Sequence, residues 1–508
     1  MIGLMEIKIV IVGVEPQKEY VLRTDGPISF VDAMEQLGLS FYRPCGGIGR
    51  CLSCAIKFAY GMPQMTSDDE RALDFSDMRA GWRLGCKCVI TRDCKIEVPA
   101  SLASEITSVI ADELSEDEDL NKRDIGIAVD IGTTTLATAV IDVHTGKILR
   151  QRNCTNTQLK FGSDVMTRVK AAIDGHGEEL KNCVRDDLTK LGKEILGEDF
   201  MMNKIVFSGN TIMTHLLLGL TVDGLAKYPF VPHTLDSVSF VEKGRNIFFM
   251  PGISAFVGGD IVSGLYYLKM KAIDKKRENE KFLLVDLGTN AEIVYFDGQT
   301  YFCTSASAGP ALEGASLSCG VASVRGAINH LSINNGKCSF TTIGGEAPIG
   351  LCGSGVIDLV HELHRNKLID DGGLLISKYA EEGYPVTENI IMTGEDIQQV
   401  LLAKSAICSA IELLIKEAGA SIDDIEHLYV SGGLGASIGI WAASGIRIFP
   451  PELINKFEAV GNSSLHGDIE YIIHGDTEML EDIRANAKVV ILNDNPEFER
   501  LFIENLKL

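Results

Sequence analysis

Residues 128–142 read AVDIGTTTLATAVID, and residues 284–298 read LVDLGTNAEIVYFDG. Each runs an apolar strand into an aspartate, turns on x-Gly-Thr, and returns as a second strand. Two such copies in one chain of 508 residues predict a duplicated α/β unit with a cleft between its halves. Gly132 and Gly288 allow tight turns whose N–H groups can meet phosphate oxygens. Thr133, Thr134 and Thr289 add hydroxyls, and Asp130 and Asp286 can hold a magnesium ion. That hold would run through water, because Mg²⁺ gives up its hydration shell reluctantly.

Three further glycine turns accompany the pair: SGN at 208–210, VGGD at 257–260 and YVSGGLGAS at 429–437. The last follows an apolar helix and a strand, and Gly432, Gly433 and Gly435 would let adenine and ribose approach the backbone. Asp260, after two glycines, and Glu292, six residues beyond Asp286, are candidates to orient a hydrolytic water. Each could equally serve as a cap or an ion-pair partner. His215, in the apolar NTIMTHLLLGL, reads as a core histidine, and Cys319 and Cys352 as small buried residues.

The chain is long enough for several domains, and its mean hydropathy of +0.13 is that of a globular protein with sizeable cores. A net charge of −23 argues against a nucleic-acid partner bound by phosphate neutralisation. No run of about 18 apolar residues lacks a charge, so no membrane span is expected. MIGLMEIKIVIVG reads as a first strand and not as a signal peptide, which points to a cytoplasmic protein. The stretch SLASEITSVIADELSEDEDLNKRD reads as an acidic linker.

Six of the thirteen cysteines lie between Cys45 and Cys94. RPCGGIGRCLSC sets Cys45, Cys51 and Cys54 in one glycine-rich loop, and a fourth thiolate is offered by Cys86, Cys88 or Cys94. Thiolates select iron–sulfur clusters or zinc. Structural zinc takes two close cysteine pairs, whereas here three ligands crowd together and the fourth is distant. Arg43, Arg50, Lys57, Arg79, Arg83 and Lys87 lie near this loop and could offset a cluster's negative charge, face an acidic electron donor or simply form a solvated surface. Ser67 and Glu70 read as the capping box of a short helix.

These residues carry resemblances. Residues 1–99 resemble a 2Fe–2S ferredoxin domain of the β-grasp type, with the first ligand gap of adrenodoxin-like members. The WRLGC context then implies Cys86 as the fourth ligand. The paired aspartate turns with the 429–437 motif resemble the superfamily of acetate and sugar kinases, heat-shock chaperones and actin. This implies a duplicated actin-like (ribonuclease H-like) ATPase that binds ATP and Mg²⁺. The expected order is a ferredoxin-like domain at 1–99, a linker at 100–124, a first ATPase half at 125–280 and a second at 281–508.

The whole layout resembles the reductive activators of corrinoid proteins in methyltransferase systems. Longer members of that family have a further domain between linker and ATPase, and the shorter layout here resembles the activators of O-demethylase systems. The resemblance implies one-electron reduction of a Co(II) corrinoid on a partner protein to Co(I), coupled to ATP hydrolysis. It also implies a separate electron donor and a homodimer. A physical reason for the fusion is that ferredoxin-type clusters sit near about −400 mV, and reducing Co(II) is harder than that. Moving an electron uphill by about 59 mV takes about 1.4 kcal/mol, which nucleotide-dependent binding of the partner can supply. Two other readings are a small-molecule kinase with a fused redox sensor and a nucleotide-gated binding module with a structural cluster.

Overall fold

The computed structural model describes residues 5–12, 18–24, 26–36, 55–73, 75–97, 124–196, 204–334, 336–435 and 438–508. Cys45, Cys51, Cys54, Arg43, Arg50 and the linker up to residue 123 lie outside them. The chain divides into two compact units, residues 1–107 with 156–184, and residues 108–155 with 185–508.

In the first unit, β1 (Met5–Val12) and β2 (Lys18–Thr24) form the expected antiparallel hairpin. They join β3 (Ala55–Tyr60), β4 (Trp82–Leu84) and β5 (Cys94–Glu97) in one sheet of order β2-β1-β5-β3-β4. The last strand lies parallel to the first at the centre of this sheet. Ile9, Leu22, Ile56, Phe58 and Ile96 share a core with Phe30 and Ala33 of helix α1 (Phe30–Gln36). The capping box sits one residue earlier than expected. Thr66 caps the helix Ser67–Ala72, and Asp69 returns the bond to the Thr66 N–H at 2.8 Å. Asp69 is chosen because its other oxygen accepts the buried N–H of Leu84, also at 2.8 Å, a bond that exposed Glu70 cannot make. Among the basic residues near the cysteine loop, Arg83 is not solvated surface: it is buried and donates to the Met78 carbonyl at 2.8 Å.

The second unit shows the duplication directly. β6 (Ile125–Ile131), β7 (Thr135–Asp142) and β8 (Ile148–Thr155) form an antiparallel meander. β9 (Lys204–Gly209) adds parallel to β6, and β11 (Arg245–Phe249) parallel to β9, with β10 (Val238–Glu242) at the edge. The second sheet repeats this plan. β12 (Phe282–Leu287), β13 (Ala291–Phe296) and β14 (Tyr301–Ala306) form the meander, and β15 (His427–Ser431) and β16 (Phe457–Gly461) add in parallel beside β12. A short strand, β17 (Ala487–Val489), pairs with β14 at the other edge. The central strands β6 and β12 are buried along nearly their whole length, as continuous apolar runs covered on both faces must be.

Helices α2 (Thr211–Leu218) and α3 (Gly259–Lys275) follow β9 and β11. The long helix α4 (Gly394–Glu417) is apolar enough to cross a membrane by length and composition, yet most of it is buried in the second core, against Leu283, Ile293 and Tyr295 among others. The last element of the site is α5 (Ser463–His474). Ile261, Leu265 and Tyr266 of α3 and Leu465, Ile469 and Tyr471 of α5 share one core with Ala128 and Val206 of the first sheet and Leu284 and Val294 of the second. These two helices cross closely: a Cβ on Gly264 would stand 2.7 Å from the Ser463 hydroxyl.

Candidate functional site

The two aspartate turns are related by the duplication but differ by one residue. Ile131 pairs with Leu136 and leaves four residues in the first turn, whereas Leu287 pairs with Ala291 and leaves three in the second. The shorter turn shifts the register, so Glu292 stands directly across from Asp286, while Ala137 stands across from Asp130. Gly132, Thr133 and Thr134 occupy the first turn, and Gly288 and Thr289 the second.

Each aspartate is held by donors from distant segments. Asp130 Oδ2 accepts from Asn462 Nδ2 at 2.7 Å, and its Oδ1 from the Ser464 hydroxyl at 3.2 Å. Asp286 Oδ2 accepts from the Ser431 hydroxyl at 2.6 Å. Asn210, the last residue of the SGN turn, caps α2 and donates to Thr133 Oγ1 at 3.2 Å. Glu292 accepts from the Ser305 hydroxyl at 3.2 Å. Glu313, in the glycine-rich stretch after β14, accepts from the Thr289 hydroxyl at 2.8 Å. Gly432 follows Ser431 with a φ of +88°; a side chain there would meet the Leu287 carbonyl and stand 3.0 Å from Asp286 Oδ1. Gly433 and Gly435 continue in the same helical turn.

Electrostatics tie these groups into one cluster. Removal from water, and then the charges of Asp130 and Asp286, push the Asp260 carboxyl up to about 7. Burial likewise lifts Asp130 to about 6, against the pull of Asn462. Asp286, Glu292 and Glu313 are raised for the same first reason, with Asp260 and Asp286 adding to Glu292. All five are partly exposed, and solvent screening moderates the effect. The cluster therefore favours whatever brings positive charge or protons to it. Its donors are all oxygens, the set that suits Mg²⁺. Among the described residues no three Asp, Glu, His or Cys side chains converge as a direct metal site.

The cysteine centre is described only in part. Cys86 is half-buried in the short turn Gly85–Lys87, while Cys88 and Cys94 lie in the core of the first unit. Burial pushes the Cys94 thiol up to about 12. His215 is buried as expected, with Nδ1 at 2.6 Å from the Thr211 carbonyl oxygen and Nε2 accepting the His233 N–H at 3.1 Å. Cys319 and Cys352 are buried too.

Sequence reading missed Glu313, Ser431, Asn462, Ser464 and Asp468. Asn462 carries a local signal: GNSSLHGD sets a capping residue ahead of a helix, and its Oδ1 accepts the Leu465 N–H at 2.8 Å. Nothing local says that its amide nitrogen reaches Asp130.

A repeated meander with two parallel additions, and an aspartate turn from each copy facing one cleft, defines an actin-like nucleotide-binding unit of the ASKHA class. The family model for the C-terminal domain of RACo, the ASKHA domain, matches residues 280–508, and that for the RACo middle region matches residues 125–273. Both matches are to regions of RACo, and they follow each other along the chain in residues 125–273 and 280–508. The middle region is thus present here, and it is the first of the two duplicated sheets with α2 and α3. A corrinoid activation enzyme, RamQ, of Eubacterium limosum is 31% identical over 386 residues, 68% of this chain. That match spans 64% of the RamQ length, under two thirds of it. A reductase of the methylated amine-specific Co(II) corrinoid protein from Methanosarcina barkeri is 24% identical over 72% of each chain. Among solved structures, a reductive activator for a corrinoid, iron-sulfur protein superposes over 99% of this chain and 98% of its own, with a TM-score of 0.68 and 24% identity, and so shares the fold.

Proposed function

We propose that this chain is an ATP-dependent reductive activator of corrinoid proteins, and that its substrate is the Co(II) corrinoid of a methyltransferase partner, returned to Co(I). The observation that carries the reading is the cleft with two aspartate turns, inside a chain whose residues 125–273 and 280–508 match the two RACo regions. The names of the Eubacterium and Methanosarcina relatives supply the substrate class.

Cys45, Cys51, Cys54 and Cys86 would hold a 2Fe–2S cluster, which when bound supplies single electrons at low potential. Two observations support that set. Cys86 is half-buried at a turn, whereas Cys88 and Cys94 are committed to the core. The first and last strands lie parallel at the sheet centre with α1 packed against the same core, as a β-grasp ferredoxin domain requires.

In the ATPase unit, the Asp130 and Asp286 carboxylates, fixed by Asn462, Ser464 and Ser431, would orient the waters of a nucleotide-bound Mg²⁺. Thr289, its proton directed to Glu313, presents oxygen lone pairs to the cleft. Asp260, with a carboxyl near 7, or Glu292 would take the proton of the water that attacks the γ-phosphate. Hydrolysis would reset the grip of this unit on its partner.

The test follows the cobalt absorbance of a Co(II) corrinoid protein mixed with the chemically reduced chain, with and without ATP. Co(I) should form rapidly with ATP only, and the corrinoid protein should stimulate ATP hydrolysis. Nucleotide-independent reduction with unchanged ATPase would refute coupling. A phosphorylated small molecule formed in step with ADP would replace the reading with a kinase.

A further inference from the structure

Behind Asp130 lies a buried carboxylate that the proposed chemistry does not use. Asp468, on α5, has no accessible surface, and around it stand Ser208 at the end of β9, Ser263 on α3 and Ser464 on α5, all almost fully buried. Ser208 Oγ is 2.6 Å from Asp468 Oδ2 and 2.7 Å from Ser464 Oγ. Ser464 Oγ is in turn 3.2 Å from Asp130 Oδ1. Ser263 Oγ is 2.9 Å from Asp468 Oδ1 and 2.7 Å from the Ser464 carbonyl oxygen.

Counting hydrogens in the chain Asp468–Ser208–Ser464–Asp130 gives a constraint. Three oxygen–oxygen contacts each need a hydrogen, and the two serines bring one apiece. With both carboxyls ionised, one contact lacks a hydrogen: either Ser208 and Ser464 face each other with lone pairs at 2.7 Å, or Ser464 donates to Ser208 and turns its lone pairs to the Asp130 carboxylate at 3.2 Å. A third hydrogen on one of the two acids removes the conflict. Asp130 is partly open to the cleft and accepts two donors, as an anion does. Asp468 is sealed, and the charges acting on it, Asp130 and Asp260, are both negative.

We infer that Asp468 is a neutral carboxylic acid and the positioning residue of the first aspartate turn. Its proton starts a one-way run of hydrogen bonds, Asp468 to Ser208 to Ser464 to Asp130. Burial raises its carboxyl well above the ordinary range, in the same direction. The arrangement ties three elements, β9, α3 and α5, to one face of Asp130. The Asp130 carboxylate is thereby fixed before nucleotide arrives, and α5 is keyed to it.

Two variants separate the outcomes. Asp468→Asn keeps a donor toward Ser208 and an acceptor toward Ser263, whereas Asp468→Ala keeps neither. Infrared spectra of the nucleotide-free chain should show protonated-carboxyl carbonyl stretches in the natural protein, and the natural-minus-Asp468→Asn difference spectrum should isolate one such band. For ATP hydrolysis, an arm that rests on the function proposed above, Asp468→Ala should raise the KM for Mg·ATP about tenfold with a smaller change in kcat. Asp468→Asn should recover most of that loss. Ser208→Ala is the substitute if Asp468→Ala does not fold, with the same KM increase expected. An infrared band unchanged in Asp468→Asn, or an Asn variant as impaired as Ala, overturns the inference. Failure of the natural chain to hydrolyse ATP would refute the function instead, and the infrared result would still decide the proton on Asp468.

Discussion

The crossing of α3 and α5 can be tested at a single hydrogen atom. Gly467 sits where α5 meets α3, and a Cβ placed on it would stand 2.5 Å from the Ser263 hydroxyl and closer still to the Ser263 carbonyl oxygen. Real Cβ contacts do not fall below 3.0 Å, and here the obstacle includes backbone, so rotating one side chain is no escape. Gly467→Ala therefore has to part the helices or displace Ser263 from Asp468. Overpacking of this kind costs about 1–3 kcal/mol, and more where backbone must move. Against that, alanine favours a helix over glycine by about 1 kcal/mol. Because backbone stands in the way the upper end, about 3 kcal/mol, applies, and the net expectation is a loss of about 2 kcal/mol, with a raised KM for Mg·ATP because Ser263 and Asp468 shift together. Gly192→Ala is the matched control. It lies in the helix Gly177–Leu196 with nothing within 4 Å of its added Cβ, so helix propensity acts alone. That variant should gain about 0.5–1 kcal/mol. Urea unfolding of both variants, followed by circular dichroism, gives the comparison. A Gly467→Ala protein as stable as the Gly192→Ala one would refute the close crossing.

If the chain holds the proposed 2Fe–2S cluster, Cys86→Ser should abolish its visible absorption after reconstitution, and Cys88→Ser should retain it; the reverse pattern would move the fourth ligand. Asp260 binds a proton more tightly folded than unfolded, with a carboxyl near 7 against an ordinary 3.8. Its stabilising contribution is present below the unfolded value and is lost as pH rises through about 7. Without Mg²⁺, the melting temperature of the natural chain relative to Asp260→Asn should fall between pH 5 and pH 8, and a rising difference would contradict the assignment. Thr289→Val and Glu313→Ala should each lower kcat for ATP hydrolysis. Their double variant should be no worse than the poorer single one, since the hydroxyl and the carboxylate act as one unit at 2.8 Å; simple additivity would show that they do not.

The duplication was legible because it is local. A strand, an aspartate and a glycine turn are set by residue types at fixed spacing, and the same 15-residue pattern written twice needs no long-range information. Local pattern failed where two readings fit equally: Ser67 with Glu70 and Thr66 with Asp69 both make a capping box. The contact with Leu84, 15 residues away, chose between them.

Sequence alone thus determined the two-fold plan of the second unit and the place of Asp130 and Asp286 at its two turns. Only the tertiary structure brought Asn462 and Ser464 onto Asp130, across 332 and 334 positions of chain. It also placed Glu292 opposite Asp286 through a turn one residue shorter, and sealed Asp468 among three serines. The physical reason is that a carboxylate's charge, proton and orientation are fixed by the donors and the water around it. Those neighbours are supplied by packing between strands and helices far apart in the chain.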